Sequence, residues 1–346
     1  FVVLVCLTQV FTLRASSDAL KDAFAAHFKF GTSVSPNELG QGKDFIIKHL
    51  NSITPENELK PQSIINQQQS QQKGNNVNTQ VHFGQGTATI LKFCEDNGIA
   101  LRGHTFVWHA QTPDWFFKEN FNSGGGFVSK DIMNQRLESF IKNTFDLLKS
   151  QYPKLVVYAY DVCNEVFQGG GGGLRKANES NWAKVYGDDS FIVNAFTYAR
   201  KYAPSGCKLY INDFNEYMGA KTNDIVSMAN KLKGLGVIDG IGMQSHLGLD
   251  FPGAASYGTA VGKFIATGLD VQATEMDIAN ESNNEDRLAQ AYKDIFSVLI
   301  KNSAHISSVT VWGSNDGNSW IGEKHPLLFS SGYNPKKAYT AIMSLV

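Results

Sequence analysis

Residues 155–165, Leu-Val-Val-Tyr-Ala-Tyr-Asp-Val-Cys-Asn-Glu, form an apolar, β-prone run that stops in a cluster of polar groups. The same shape recurs along the chain, at Phe28 to Ser35, Leu50 to Asn57, Ile99 to His109, Lys208 to Asn215, Ile238 to His246, Leu269 to Asp277 and Ser307 to Asp316. Segments with helical spacing lie between these runs, among them Met133 to Lys149, Ser190 to Tyr202, Thr222 to Leu235 and Arg287 to Ile300. Strand alternating with helix predicts a parallel sheet. Eight units of about 41 residues each predict a single α/β domain, a (β/α)8 barrel over residues 16–346. A doubly wound open sheet is the competing arrangement. It favours neither eight units nor polar residues at the C-terminal end of every strand.

The wider composition narrows the function. The chain has 346 residues with 31 basic and 32 acidic side chains, a net charge of -1, which excludes phosphate-backbone binding by bulk charge and predicts no nucleic-acid partner. An apolar share of 42 % excludes a disordered chain. Phe1 to Leu13 is an apolar, uncharged run of signal-peptide length, followed by Arg14-Ala15-Ser16-Ser17. Residues 1–15 are therefore expected to be the remainder of a leader, and the protein to be secreted; the alternative is a buried first strand or helix. Nothing else approaches membrane length, so no membrane association is expected. With Cys6 in the leader, Cys94, Cys163 and Cys207 are left. They show no zinc-ligand spacing and are expected to be buried free thiols, with one disulfide as the alternative. Asn178 and Asn280 begin glycosylation sequons. The Gln- and Asn-rich stretch Gln67 to Asn78 is expected to be a solvated loop. The Gly-rich stretches Asn122 to Gly126 and Gly169 to Gly173 lack the helix-opening context of a phosphate cradle, and no nucleotide, metal or other cofactor is expected.

A barrel builds its active site at the C-terminal strand ends. Those ends carry Glu56, Asn57 and Lys60; His104, Trp108, His109 and Gln111; Asp161, Asn164 and Glu165; Asn212, Asp213 and Asn215; Gln244 and His246; Glu275 and Asp277; then Trp312 and Asp316, with Trp320 just beyond. Amides and carboxylates hydrogen-bond sugar hydroxyls, and indole faces stack on pyranose rings. Glu165 and Glu275 end the fourth and seventh strands, which lie nearly opposite in an eight-stranded barrel. Two carboxylates facing across a sugar site are the apparatus of glycoside hydrolysis. Taken singly, each would more often be a salt-bridge partner or a solvated group.

Seven blocks carry a family resemblance: NSITPENELKP (51–61), LRGHTFVWHAQTPDW (101–115), YDVCNEVF (160–167), LYINDFNEY (209–217), GIGMQSHL (240–247), ATEMDI (273–278) and VWGSNDGNSW (311–320). Together they resemble glycoside hydrolase family 10, the endo-β-1,4-xylanases, in family order from Phe28 to Leu345. The resemblance implies the (β/α)8 fold, xylan and xylo-oligosaccharides as partners, and hydrolysis with retention of anomeric configuration. It implies Glu165 as acid/base and Glu275 as nucleophile. A nucleophile must be ionised and needs donors around it; an acid needs neighbouring negative charge and apolar shielding. His246 matches the position that hydrogen-bonds the nucleophile, and Asp277 is placed to orient its other ring nitrogen. Asn164 matches the residue that bonds the sugar 2-hydroxyl. Glu56, Asn57, Lys60, His104, Trp108 and Gln111 match groups that grip the non-reducing side. Asn212 and Gln244 join the substrate set, Gln244 toward the leaving side. Trp312 and Trp320 match the indoles that floor and roof the catalytic sugar.

His109, Asp161 and Asp213 are expected to support the site from behind, and Tyr333 is a candidate cleft residue. Three positions depart from the family: Phe214 stands where Tyr is usual, Cys163 where Val is usual and Ala110 where Ser is usual. The first removes a hydroxyl on the leaving-group side. Other readings are a different β-1,4-glycanase on the same barrel, such as a cellulase or mixed-linkage glucanase, and a catalytically dead carbohydrate-binding barrel. Both carboxylates are present, which disfavours the dead barrel. A monomer is expected.

Overall fold

Eight short strands line up side by side, each buried along nearly its whole length. We label them β1 (Lys29–Val34), β2 (Ser52–Pro55), β3 (Ala100–Val107), β4 (Val157–Asn164), β5 (Lys208–Asp213), β6 (Gly240–Met243), β7 (Asp270–Ala279) and β8 (Ile306–Val311). They are described in a computed structural model covering residues 18–346, so the expected leader and Cys6 lie outside the described residues. Every neighbouring pair is parallel, from β8–β1 through to β6–β7. The additional β7–β8 pairing closes the sheet into a barrel. This is the expected (β/α)8 architecture, not the open sheet. Most of the apolar runs read from sequence extend a few residues past the ladders towards the C-terminal mouth, where Glu56, Trp108, Glu165 and Gln244 lie. The seventh does not: its strand runs on to Ala279, so Glu275 and Asp277, expected at a strand end, stand within β7.

The outer ring is built from helices that follow each strand, including Lys130–Gln151, Ser190–Tyr202, Gly219–Gly234 and Glu285–Lys301. The last illustrates why they form. Leu288, Tyr292, Ile295, Phe296 and Leu299 fall on one face and are buried, while the Asn284 side chain accepts the Arg287 N–H at 3.0 Å and caps the first turn. Each such fully buried side chain contributes roughly 1.5–3 kcal/mol. Among the described residues, no helix is long and apolar enough to cross a membrane.

The floor of the barrel is polar. Arg102, fully buried, makes a two-pronged pair with Asp161 through Nη1 and Nη2 and donates from Nε to Gln272 Oε1 at 2.8 Å. Gln272 Nε2 in turn donates to the Tyr210 hydroxyl at 2.8 Å, which donates to Asp270 at 2.5 Å. A buried guanidinium is tolerated only when it is paired and hydrogen-bonded, and here each of its three nitrogens has a partner.

Two expectations are corrected. Of the stretch Gln67 to Asn78, Gln67–Gln72 is a helix and only the remainder is irregular and largely exposed: Asn66 Oδ1 caps Gln69 N at 2.9 Å, and the Gln67 and Gln71 amides both donate to Phe121 O. Tertiary hydrogen bonds override the composition there. Tyr333 packs on Phe45 with ring centroids 4.7 Å apart and is absent from the cavity wall described below. Cys94, Cys163 and Cys207 are free and buried, as expected. Burial pushes the Cys94 and Cys207 thiols up to about 12. Asn178 is exposed, whereas Asn280 is fully buried with its Oδ1 accepting the Asn284 N–H at 2.9 Å.

Candidate active site

At the mouth lies a cavity of about 420 Å³. Twelve of the residues expected from the sequence line it: Glu56, Lys60, His104, Trp108, Gln111, Asn164, Glu165, Gln244, His246, Glu275, Trp312 and Trp320. Phe214 completes the wall. The other three expected residues, Asn57, Asn212 and Asp277, stand behind it and hold lining groups in place.

Glu275 projects from β7 and is 5 % exposed. Its Oε1 accepts from Asn212 Nδ2 at 2.8 Å and faces His104 Nε2 at 4.0 Å. Its Oε2 lies 3.3 Å from His246 Nε2. Burial alone would raise this carboxyl. The His246 hydrogen bond and the charges of His104, His246 and Lys60 outweigh it, holding the group at about 2. Three supports set those donors. Asp277 Oδ1 lies 3.0 Å from His246 Nδ1, and its Oδ2 accepts the Trp320 indole N–H at 2.7 Å. Asp161 Oδ2 lies 2.8 Å from His104 Nδ1, which leaves Nε2 toward Glu275. The Thr274 hydroxyl donates to Asn212 Oδ1 at 2.6 Å, which turns the Asn212 amide so that Nδ2 points at the carboxylate. Room for that amide exists because Gly242 lacks a side chain: a Cβ there would lie 2.4 Å from Asn212 Oδ1. Burial lowers the affinity of the His246 ring for its proton, but the negative charge of Asp277 and the bonds to Asp277 and Glu275 win, so its pKa lies well above the usual histidine value.

Glu165 follows the last residue of β4 and adopts φ +54°, an uncommon conformation for a side-chain-bearing residue and one that clusters at active sites. Gln244 Nε2 donates to its Oε1 at 3.0 Å. Arg175 Nη2 and His109 Nδ1 stand 3.7 and 3.9 Å from Oε2, beyond hydrogen-bond reach. Gln244 Nε2 also lies 3.1 Å from Asn164 Oδ1, which accepts from Asn212 Nδ2 at 2.9 Å. A chain of three amides therefore joins the two carboxylates: Glu165, Gln244, Asn164, Asn212, Glu275.

On the opposite wall, Asn57 Oδ1 accepts from Lys60 Nζ at 2.9 Å and Gln111 Nε2 at 3.2 Å. Lys60 Nζ lies 4.8 Å from the centre of the Trp108 ring. Burial pulls the Lys60 ammonium down, and Glu275, Glu56 and Glu165 pull it back up. Burial raises the Glu56 carboxyl against the pull of Lys60. Trp312 is nearly buried and meets His104 edge-on at 5.8 Å, whereas Trp320 is 59 % exposed above His246.

The residues expected behind the site divide. Asp161 anchors His104, and Asp213 pairs with Lys221 Nζ at 2.8 Å. Burial pushes the Asp213 carboxyl up to about 7, with Lys221 pulling the other way. Burial, with the Arg175 charge, lowers His109, whose Nδ1 has no hydrogen-bond partner. Sequence reading missed Arg102, Arg175, Lys221 and Thr274. Arg102 and Thr274 left a signal, since they lie in the sequence blocks 101–115 and 273–278. Among the described residues, no group of three or more His, Cys, Asp or Glu side chains is arranged to hold a metal ion.

Comparison with known proteins places this chain in a family. Residues 19–345 match the model of glycosyl hydrolase family 10. The chain is 64 % identical over 330 residues to the bifunctional endo-1,4-beta-xylanase XylA of Ruminococcus flavefaciens, covering 95 % of this chain and 34 % of that protein. It is 42 % identical over 363 residues to endo-1,4-beta-xylanase Y of Acetivibrio thermocellus, covering 98 % of this chain and 33 % of that protein. The chain thus spans about a third of the length of these two curated relatives. Among solved structures, the CBM22-1–GH10 modules of a Clostridium thermocellum endo-1,4-beta-D-xylanase, complexed with xylohexaose, superpose with a TM-score of 0.89 at 42 % identity, over 96 % of this chain and 68 % of that one. An intracellular xylanase of Thermoanaerobacterium saccharolyticum superposes with a TM-score of 0.82 at 32 % identity, over 93 % and 97 %. On sequence and fold alike, the chain belongs to glycosyl hydrolase family 10.

Proposed function

We propose that this chain is an endo-β-1,4-xylanase that cleaves xylan internally with retention of configuration. The observation that carries the reading is the unequal pair of carboxylates on one cavity. Glu275, though burial pushes it up, is held at about 2 by the His246 hydrogen bond and the charges of His104, His246 and Lys60. Glu165 sits at the other end of the three-amide chain. In this reading Glu275 attacks the anomeric carbon while Glu165 gives its proton to the departing glycosidic oxygen. Glu165, now a carboxylate, then takes a proton from water, which displaces Glu275 and returns both groups to their starting state. In this reading Asn164 bonds the sugar 2-hydroxyl, and Lys60, His104 and Gln111, which line the same cavity, grip the non-reducing side. Xylanase relatives support xylan as the substrate. A polymeric substrate and the apolar run Phe1 to Leu13 support action outside the cell.

The product profile from xylan and short xylo-oligosaccharides tests the reading. Internal cleavage should release mixed oligosaccharides whose first-formed reducing ends are β. Rates on aryl xylobioside should exceed those on aryl cellobioside, because xylose lacks the hydroxymethyl group that would meet Trp320. Equal or greater rates on the cellobioside would make the protein a different β-1,4-glycanase. Absence of reducing-sugar release from xylan, together with no turnover of either aryl glycoside, would leave only a binding barrel.

A further inference from the structure

The five-glycine run Gly169 to Gly173 has no part in the chemistry so far, yet it lies in the loop that leaves Glu165. That loop is fastened from below. Lys221 is fully buried, and its ammonium spends all three donors there: Asp213 Oδ1 at 2.8 Å, Gln168 O at 3.0 Å and Phe167 O at 3.4 Å. Asp213 Oδ1 also accepts the Phe214 N–H at 2.9 Å, and its Oδ2 the Phe167 N–H at 3.5 Å. One turn further along the helix Gly219–Gly234, Asp224 Oδ2 accepts the N–H groups of Gly172 and Gly173 at 2.8 and 3.0 Å. The glycines permit this approach. Gly171 has φ +84°, and a Cβ there would lie 2.4 Å from Lys221 N. At the other end of the loop, Arg175 Nε donates to Glu165 O at 2.6 Å.

We infer that Lys221 and Asp213 are positioning residues for proton donation. By clamping Phe167 and Gln168 onto β5, they fix the main chain of Glu165 in its left-handed conformation and aim its carboxyl at the glycosidic oxygen. The inference rests on the assignment of Glu165 as acid/base. A buried ion pair is a poor source of net stability, since matched apolar groups often serve as well. Aiming a proton is a different requirement: displacement of about 1 Å can cost on the order of 100-fold in rate.

The test compares kcat/KM, which reports formation of the glycosyl-enzyme, on two aryl xylobiosides. Phenyl xylobioside has a poor leaving group and needs the proton; 2,4-dinitrophenyl xylobioside does not. Lys221→Met leaves Asp213 buried and unpaired and can fail to fold, so the double variant Asp213→Leu with Lys221→Met, which removes both charges, is made beside it. Folding is checked by near-ultraviolet circular dichroism. A folded variant should lose on the order of 10- to 100-fold on the phenyl substrate and stay within about 3-fold on the dinitrophenyl one. Equal losses on both substrates, or no loss on either, overturn the positioning role. Glu165→Ala is the reference. If it shows the leaving-group dependence and the pair variants do not, the inference falls alone. If Glu165→Ala shows none, the acid/base assignment falls and the inference with it.

Discussion

The two carboxylates of the cavity are held in opposite ways. Glu275 grows from the middle of a ten-residue strand, and its side-chain oxygens are gripped by Asn212 and His246. Glu165 stands just past a strand end at positive φ, with one close donor on its carboxyl and most of its support applied to its main chain. The difference teaches how one barrel makes two roles from one residue type. A nucleophile needs its charge held, so its neighbours touch the carboxylate. A proton donor needs its direction held, so its neighbours hold the loop.

Predictions that break or sharpen this contrast run from large effects to small. Glu275→Ala should abolish turnover of xylan while leaving the fold intact, because both halves of the reaction pass through that carboxylate. Glu165→Ala should lower kcat/KM on xylo-oligosaccharides by on the order of 10²- to 10⁴-fold, the usual worth of a general acid. Wild-type activity in either variant, measured as reducing-sugar release, ends the assignment.

His246→Ala probes the grip on charge. The Glu275 carboxyl is depressed from 4.5 to about 2, so it stays ionised as pH falls until that value, and its contribution to stability, complete above about 4.5, is lost across the same window. Without His246 the acid limb of the kcat/KM profile should move up by about 1–3 pH units. An unmoved limb would show that His246 does not hold the charge. Gly171→Ala probes the grip on the loop. It places a Cβ against Lys221 N at φ +84° and should cost about 1–3 kcal/mol in thermal unfolding, with activity falling most on poor leaving groups. The smallest effect is expected from Phe214→Tyr. Phe214 lines the cavity and its ring lies 4.5 Å from Lys221 Nζ. A hydroxyl there should tighten the leaving side by one hydrogen bond, about 0.5–1.5 kcal/mol, read as a lower KM for long xylo-oligosaccharides only.

What could be read from the sequence follows the same divide. Strand ends were legible because apolar runs stop where polar groups begin, and a barrel collects those stops at one mouth. The chain therefore gave up Glu165 and His246, and also Glu275 and Asp277, although the strand that carries these last two runs on to Ala279. The helix Ser190–Tyr202 was legible to its limits, since its buried face repeats at helical spacing. The clamp on the Glu165 loop was hidden. Lys221 and Asp224 sit on a helix whose spacing does not show which charges turn inward, and only the folded chain brings them beneath the glycines. The helix Gln67–Gln72 was hidden for a related reason: its side chains bond Phe121, some 50 residues away in sequence.

The division of roles is tested most directly by azide rescue of Glu275→Ala and Glu165→Ala on 2,4-dinitrophenyl xylobioside, with the product anomer read by nuclear magnetic resonance. Glu275→Ala should yield α-xylobiosyl azide, because azide takes the place of the missing nucleophile. Glu165→Ala should yield β-xylobiosyl azide, because azide attacks the glycosyl-enzyme on Glu275. The reverse pairing, or rescue of neither variant, would contradict that division.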